Sequence, residues 1–256
     1  ENSRETLHVS STAKKKQIMR HLFTFTFLVL LLAISSSSCA QSRIAKDAFE
    51  VSNFNAIEAS VAANIRITQS ANTSVTAEGS EEMLDRLEVR MEGNRLLLGM
   101  EERFWKRLRK NAHKLTIRIA TPTLTEIDFE GVGNITIEGT FNTPQLAIKC
   151  EGVGNLTAHN LESEQVKISS EGVGNTTVGG KAGKVEIDSE GVGNVDAAKL
   201  IAREAIVSSQ GVGNVSCYAS DFLSIRSQGV GSVHYYGKPA KTDLIKDGIG
   251  KIRPGN

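Results

Sequence analysis

The sequence predicts an all-β protein whose larger part is a right-handed parallel β-helix, or β-solenoid, preceded by a β-rich part that is continuous with it. A Gly-Val-Gly-Asn motif recurs seven times, altered in its last two copies, and successive copies begin 18 to 21 residues apart. A near-constant period of this length is typical of stacked repeats. Apolar and polar residues alternate on both sides of each copy, which indicates half-buried strands. Each repeat is therefore predicted to form one turn of a coil.

The composition limits the classes of function. The chain has 256 residues and a formal net charge of +1, which argues against a general nucleic-acid binder. Hydrophobic residues make up 39% of the chain and aromatic residues 5%. The protein can therefore bury a core, but one that contains few large aromatic side chains.

Residues 19–40 resemble a secretory signal. A short basic start is followed by an apolar run at residues 22–34, about 13 residues long and so too short for a membrane span of about 20. Cys39 follows small residues, as the lipidated cysteine of a bacterial lipoprotein does, although Ser36 stands where that pattern prefers Leu. The alternative is ordinary signal cleavage after Ala40. By either route the protein leaves the cytoplasm.

Six segments are expected along the chain. They are an upstream segment at 1–18 that precedes the true start, the signal at 19–40, a short linker at 41–47, the N-terminal β-rich part at 48–128, the repeat solenoid at 129–251 and a tail at 252–256. No low-complexity linker separates the β-rich part from the repeats. We therefore expect these two parts to share a core.

Within the β-rich part, the sequence predicts a hairpin, a helical turn and an early repeat. Alternating residues at 87–91 and 96–100 flank a turn at Gly93, which is typical of a β-hairpin. Ser80 precedes two glutamates, a pattern that favours one short helical turn. Residues 61–67 resemble the repeat with alanine in place of glycine, which indicates a worn copy of the motif.

The repeated motif is interpreted as the corner of the coil, because glycine can adopt positive φ and lets successive corners approach closely. The predicted corner residues are Gly131, Gly133, Asn134, Gly152, Gly154, Asn155, Gly172, Gly174, Asn175, Gly191, Gly193, Asn194, Gly211, Gly213, Asn214, Gly229 and Gly231. The asparagines are expected to form a column that hydrogen-bonds from turn to turn. An inward-facing column is expected from Val132, Val153, Val173, Val192, Val212, Val230 and Ile249.

The repeat register also predicts the state of the two cysteines that follow Cys39. Cys150 and Cys217 lie about three turns apart, which is roughly 14 Å along the stack. A disulfide requires Cα atoms within about 7 Å of each other. We therefore expect two separate, buried, free thiols.

A column of acidic and amide side chains directly precedes the corners. It begins with Glu130, Glu151, Glu171 and Glu190 and continues as glutamines and an aspartate. Carboxylates about 4.8 Å apart repel one another, so a calcium row is one interpretation. The other is a structural or solvated column, which we favour because calcium prefers six to eight oxygen ligands and these carboxylates stand in single file. No metal is therefore predicted.

A cationic cluster interrupts the strand pattern and carries the only tryptophan. Its members are Arg103, Trp105, Lys106, Arg107, Arg109 and Lys110. Arginine and tryptophan are common contact residues at interfaces, so this cluster is a candidate partner-binding site. The alternative is a solvated loop that covers the open end of the core.

Nothing in the sequence has the pattern of a catalytic site. No histidine has a spaced partner that would suggest a metal triad or a catalytic base. Polysaccharide-cleaving β-helices build clefts from long loops, whereas no repeat here carries an insertion. The chain is therefore predicted to be no enzyme and to use no cofactor.

The signal segment, the opening strands at 49–67, the hairpin at Gly93 and the Gly-Val-Gly-Asn series together resemble the putative auto-transporter adhesin family with a head GIN domain. The resemblance covers about residues 48–251. It implies an exported β-helical envelope protein of a Gram-negative bacterium without established catalytic residues. No membrane barrel is predicted within the sequence, so anchoring is expected to depend on Cys39.

Three hypotheses of function follow. The first is a non-enzymatic, adhesin-like module that presents its solenoid faces to a glycan or an envelope protein. The second is a structural or signalling lipoprotein that docks a membrane partner through residues 103–110. The third is a polysaccharide-active enzyme. The protein is expected in the outer membrane as a lipoprotein, facing the periplasm or the surface, or as a secreted or periplasmic protein if cleavage follows Ala40. Exposed solenoid edges also predict self-association.

Overall fold

The computed structural model describes residues 44–100 and 115–255 and is all-β, with 68% strand and almost no helix. The N-terminal elements are β1 (Ile44–Phe49), β2 (Ala56–Ser60), β3 (Asn64–Gln69), β4 (Ser74–Ser80), α1 (Glu81–Leu84), β5 (Glu88–Glu92), β6 (Arg95–Gly99), β7 (Thr116–Thr121) and β8 (Glu126–Phe129). The helical turn predicted after Ser80 is therefore confirmed. So is the hairpin, since β5 and β6 pair antiparallel around Gly93, whose φ is +60°.

The repeats form ten further strands that stack in parallel. They are β9 (Ile135–Asn142), β10 (Gln145–Cys150), β11 (Leu156–Ser170), β12 (Thr176–Ser189), β13 (Val195–Ser209), β14 (Val215–Tyr218), β15 (Phe222–Ser227), β16 (Val233–Tyr236), β17 (Lys241–Lys246) and β18 (Ile252–Pro254). Together they make a parallel β-solenoid of about 6 turns. The predicted fold class is confirmed.

Two long ladders of parallel strands run along the solenoid, one on each side of the corner. Ladder A contains β2, β8, β10, the second halves of β11, β12 and β13, and then β15 and β17. Ladder B contains β3, β9, the first halves of β11, β12 and β13, and then β14, β16 and β18. The register shifts inside β11 between Ala158 and Leu161, so the chain turns from one ladder towards the other without leaving the strand.

The solenoid begins earlier in the chain than the first Gly-Val-Gly-Asn motif. Ala62 forms a parallel bridge with Val132, and the side chain of Asn64 accepts hydrogen bonds from Asn134. The worn copy of the repeat at residues 61–67 is therefore confirmed as the first corner. It joins β2 to β3, so the β-rich part and the repeats share one core.

The N-terminal strands extend the first turn of the solenoid. β6 pairs in parallel with β2, and β7 pairs in parallel with β3. β5, β4 and β1 then add antiparallel strands outside them. β1 starts at Ile44, within the segment 41–47 that the sequence assigns to a linker, because it pairs with β4 along its whole length.

The alternation predicted for the strands is confirmed by the core. The inward residues of ladder A, such as Leu146, Ile148, Val166 and Ile168, are at most 2% exposed. At the C-terminal end the pattern decays, since all six residues of β17 are exposed. β18 follows it inside the tail predicted at 252–256, because it pairs in parallel with β16.

The predicted inward column of valines is wrong. Val153 is 45% exposed, Val173, Val192 and Val212 are 52 to 53% exposed, and Ile249 is 75% exposed. The reason is that the two-residue alternation of the strands continues through the corner. The two glycines occupy the less exposed positions, and the valine between them points to solvent.

None of the helices in the described part of the chain is long and apolar enough to cross a membrane.

Candidate functional site

Two predicted sites, Cys39 and the cationic cluster at residues 103–110, lie outside the described residues. The strands that flank the cluster are described. β6 ends at Gly99, which pairs with Ser60, and β7 begins at Thr116, which pairs with Asn64. Residues 100–115 therefore connect the same two ladders that residues 61–63 connect in the adjacent turn. The chain segment that carries the cluster therefore joins the end of β6 to the start of β7.

The corner glycines are required by the close approach of successive turns. A Cβ atom on Gly152 would lie 2.1 Å from the carbonyl oxygen of Gly131, and one on Gly154 would lie 1.7 Å from that of Gly133. Gly154 also has a φ of +155°, a conformation that other residues rarely adopt. Later corners repeat both features. The role predicted for these glycines, as the corners of a coil, is supported by this geometry.

The predicted asparagine column is present and hydrogen-bonds along the solenoid. Asn155 donates from its backbone amide and from its side-chain Nδ2 to Oδ1 of Asn134, at 3.1 and 3.0 Å. The same pair of bonds recurs between the next three pairs of asparagines. In the turn after them, Oδ1 of Asn214 accepts a hydrogen bond from the backbone N–H of Ser232. These amides are structural, because each satisfies a corner of the following turn.

The glutamate column lies beside the exposed valines. Glu130, Glu151, Glu171 and Glu190 are all exposed. Glu151 forms an ion pair with Lys149, and Glu171 accepts a hydrogen bond from the hydroxyl of Ser169. Within residues 44–100 and 115–255, no three His, Cys, Asp or Glu side chains are grouped so that they could hold a metal ion. The column offers single carboxylates rather than the oxygen cage that calcium prefers.

A shallow polar groove lies on the outer face of ladder A. Its volume is about 330 Å³, and its lining includes Gln145, Ala147, Gln165, Lys167 and Lys184. Ala147 pairs with Lys167 on the next turn, so a short side chain stands where its neighbour carries a long one. This difference in length creates the depression. Among the described residues, the side chains of Gln145, Gln165 and Lys167 have no hydrogen-bond or ion-pair partner.

Both ends of the groove are held by ion pairs. At one end Glu126 accepts two hydrogen bonds from Arg95, and at the other Lys184 lies 2.5 Å from Glu186. The hydrogen bond to Glu186 raises the pKa of Lys184. The groove therefore keeps fixed charges at its ends and free amide and ammonium donors at its centre. Donors and acceptors of this kind suit a polar, hydroxyl-rich ligand.

The groove residues carry no sequence motif that would identify them as a site. They occupy outward strand positions, where Gln, Lys and Glu are ordinary solvated residues. Aligning the repeats by their corners shows Ala147 among the longer side chains of Glu126, Lys167 and Glu186, which is the signal that could have located the depression.

The two described cysteines are separate free thiols, as predicted. Cys217 is fully buried, whereas Cys150 is half-buried rather than buried. Cys150 lies in the last position of β10, just before the corner, where the coil is less closed. Burial raises the pKa of each thiol to about 12. Both are therefore poor nucleophiles at neutral pH.

Comparisons with known proteins agree with this architecture. The family model described as putative auto-transporter adhesin, head GIN domain, matches residues 53–239. A crystal structure of a putative adhesin from Bacteroides fragilis is 33% identical, with a TM-score of 0.79, and the match covers 84% of this chain and 98% of that one. None of the curated proteins compared with the chain matches it.

More distant structures share the fold. A putative adhesin from Parabacteroides distasonis is 15% identical with a TM-score of 0.59, and the match covers 84% of this chain and 98% of that one. A putative lipid binding protein from the same species is 20% identical with a TM-score of 0.56 and the same coverage. The family match spans more than half of the chain, and the Bacteroides fragilis structure is 33% identical over 84% of the chain. The chain therefore belongs to the putative auto-transporter adhesin, head GIN domain, family.

Proposed function

We propose that the protein is an exported, non-enzymatic and adhesin-like module of the cell envelope, which binds a glycan through the polar groove on ladder A. The observation that carries this proposal is the set of donors around Ala147, namely the side chains of Gln145, Gln165 and Lys167, which have no partner within residues 44–100 and 115–255. Glycan hydroxyls accept hydrogen bonds from such groups. The alternative ligand of this groove is an exposed face of another protein.

The shape of the groove sets the expected affinity. Its volume of about 330 Å³ is at the lower end for ligand sites, and its lining residues include no aromatic side chain on which a sugar could stack. A single groove should therefore bind weakly. Strong attachment would require several copies of the protein to engage one polymer at once.

The proposal is tested by glycan-array binding of the purified protein. The double variant Gln165→Ala/Lys167→Ala removes two donors from the groove, and Lys199→Ala removes an exposed lysine outside it. We expect the groove variant to lose about 5- to 150-fold in affinity, since each of the two unmade bonds costs roughly 0.5–1.5 kcal/mol, and Lys199→Ala to bind normally. Equal binding by all three proteins would exclude the groove.

A second candidate function is a lipoprotein that docks a membrane partner through residues 103–110. It is favoured by the position of the cluster in the chain, between the end of β6 and the start of β7, which pair with the two strands of the first corner. The Parabacteroides distasonis structure described as a lipid binding protein shares the fold. Trp105→Ala/Arg107→Ala should abolish capture of an envelope partner in cross-linking experiments on intact cells, and unchanged capture would exclude this function.

We also propose that the protein is anchored in the outer membrane through Cys39. Metabolic labelling with a fatty acid should mark the wild-type protein and leave Cys39→Ser unlabelled. If labelling fails and the mature chain starts at Gln41, the protein is secreted or periplasmic by cleavage after Ala40. Protease treatment of intact cells then determines whether it faces the surface or the periplasm.

A further inference from the structure

One exposed feature has no part in the proposed groove. We call this feature the corner ridge. It consists of the exposed valine column, the glutamate column on one side of it and the asparagine column on the other. The ridge valines and the final isoleucine are Val132, Val153, Val173, Val192, Val212, Val230 and Ile249, and each bridges to the next in parallel register. All but Val132 are at least 45% exposed. Apolar surface that is exposed in a continuous stripe commonly marks an interaction site.

The fold itself does not require aliphatic side chains on this column. The corner is held by backbone hydrogen bonds, such as that from Val173 to Gly152, and by the asparagine amides. The valine side chains point away from both. A polar β-branched residue would keep the same backbone conformation and expose less apolar surface.

The spacing of the ridge limits what can cover it. Successive valines are about 4.8 Å apart, so the column from Val132 to Ile249 is about 29 Å long. An α-helix has a pitch of about 5.4 Å and would lose register by about 3.6 Å over that length. An extended strand presents a side chain on one face only every 6.6 Å or so. A second solenoid has the same spacing and stays in register along the whole column.

The flanking columns favour the same partner in one orientation. Glu151, Val153 and Asn155 point outward in that order, and the turns that begin at Glu171 and Glu190 repeat it, whereas the last three turns carry glutamine or aspartate in place of the glutamate. If two ridges face each other across a twofold axis parallel to the solenoid, each glutamate column lies opposite an asparagine column. A twofold axis perpendicular to the solenoid would instead place Glu190 opposite its own copy and Glu130 opposite Asp247, and both of these pairs repel. The free N–H of an asparagine Nδ2 group can donate to a carboxylate.

We propose that the corner ridge is a self-association surface, through which two copies of the protein pack side by side with parallel solenoid axes. The ridge is about 13 Å wide from Glu151 to Asn155, so each copy contributes roughly 400 Å². Stable dimers commonly use about 800 Å² per partner. The dimer is therefore weak and concentration-dependent.

Sedimentation equilibrium of the purified protein from about 1 μM to about 1 mM tests the association, a range that spans weak interfaces of this size. The wild-type protein is expected to shift from monomer to dimer within it. Val173→Thr/Val192→Thr should raise the dissociation constant at least about tenfold without lowering the melting temperature, because threonine keeps the shape of valine. Ile201→Thr is the matched control, since Ile201 is 47% exposed but lies outside the ridge. A wild-type protein that stays monomeric, or an equal effect of Ile201→Thr, would overturn the proposal.

Disulfide trapping tests the orientation. Val153 lies near one end of the ridge and Val230 near the other, and the raised pKa of Cys150 and Cys217, about 12 each, slows their reaction. With parallel axes, Val153→Cys should form a disulfide with its own copy, and Lys199→Cys should not. Faster cross-linking between Val153→Cys and Val230→Cys than within either variant would show opposed axes and contradict the proposal. Failure of Val153→Cys to cross-link at concentrations where the wild type is dimeric would place the dimer elsewhere and also contradict it.

Discussion

The guanidinium group of Arg95 donates hydrogen bonds of 3.1 and 2.8 Å to the two carboxylate oxygens of Glu126. Arg95 lies on β6 and Glu126 on β8, and both pair with Ala56 of the strand between them. The short side chain of Ala56 leaves room for this contact across β2. The hydrogen bond to Glu126 is the main cause of the raised pKa of Arg95. The bridge therefore ties the N-terminal hairpin to the first turns of the solenoid.

Replacement of Arg95 by lysine should destabilise this junction. Arg95→Lys keeps the charge but cannot form the two parallel hydrogen bonds, so we expect a loss of about 0.5–1 kcal/mol in the free energy of unfolding. Urea denaturation measures it. Arg90→Lys is the control, because the Arg90–Glu88 pair is largely exposed and contributes little. Equal stability of Arg95→Lys and the wild type would show that the bridge is not structural.

The repeat and its alternation were sufficient to predict the solenoid and its core. Side chains along a strand alternate between its two faces, so in a half-buried strand every second residue faces the core. Residues such as Leu146 and Ile168 occupy these positions and are buried. An inward Val153 would require this alternation to break at the corner, and Val153 is exposed because the alternation does not break there. The backbone bends at the two corner glycines but the alternation continues, and the inward side is too crowded for any Cβ, so glycine takes it.

The N-terminal pairings could not be predicted from the sequence. β1 pairs with β4, and β4 pairs with β7, across segments that share no repeat or spacing. Long-range pairing of this kind depends on which open strand edge each segment meets. The groove around Ala147 was missed for a related reason, since its residues become neighbours only when the turns are stacked in register.

Alanine at a corner glycine should disrupt the coil. A Cβ on Gly174 would lie 1.7 Å from the carbonyl oxygen of Gly154, and the φ of Gly174 is +153°. We expect Gly174→Ala to cost about 3 kcal/mol or more in the free energy of unfolding, because both the clash and the backbone conformation oppose it. Gly99→Ala is the control, since its Cβ would lie 3.7 Å from Glu88, and denaturation midpoints compare the two. Similar midpoints would show that the turns can separate without cost.

Removal of one asparagine amide should weaken two successive corners. Asn175 donates from Nδ2 to Asn155, and its Oδ1 accepts two hydrogen bonds from Asn194. Asn175→Ala should therefore lower the free energy of unfolding by about 1–3 kcal/mol. Asn175→Ser should lose less, because Ser232 occupies the equivalent position in a later turn and still accepts from Lys251. Thermal or urea denaturation measures both variants. The same small loss in the free energy of unfolding for Asn175→Ala and Asn175→Ser would contradict the prediction.

Calcium should leave the stability of the protein unchanged. The carboxylates of Glu130, Glu171 and Glu190 are exposed and stand in single file, so a cation between two of them would gain too few oxygen ligands. We expect the same melting temperature with added calcium and with a chelator. A rise with calcium that Glu171→Gln/Glu190→Gln abolishes would instead identify this column as a metal site.

The buried thiols should resist modification in the folded protein. With a pKa of about 12, Cys217 carries about 10⁻⁴ of thiolate at pH 8, whereas an exposed thiol with a pKa near 9 carries about a tenth. Labelling by a disulfide reagent should therefore be slow, and denaturant should accelerate it by about a thousandfold. Rapid labelling of the native protein would show that the solenoid opens at this turn.

The same pKa difference makes stability depend on alkaline pH. Cys217 stays protonated in the folded protein up to about pH 12, while the unfolded chain releases the proton near pH 9. Between these values the unfolded state binds fewer protons, so the free energy of unfolding falls as the pH rises, by up to about 1.4 kcal/mol per pH unit for this thiol. Below pH 9 the thiol has no such effect. Urea denaturation of Cys217→Ala should show a shallower decline above pH 9 than the wild type. Parallel declines would mean that this thiol is already accessible in the native state, and that the last turns of the core are open to water.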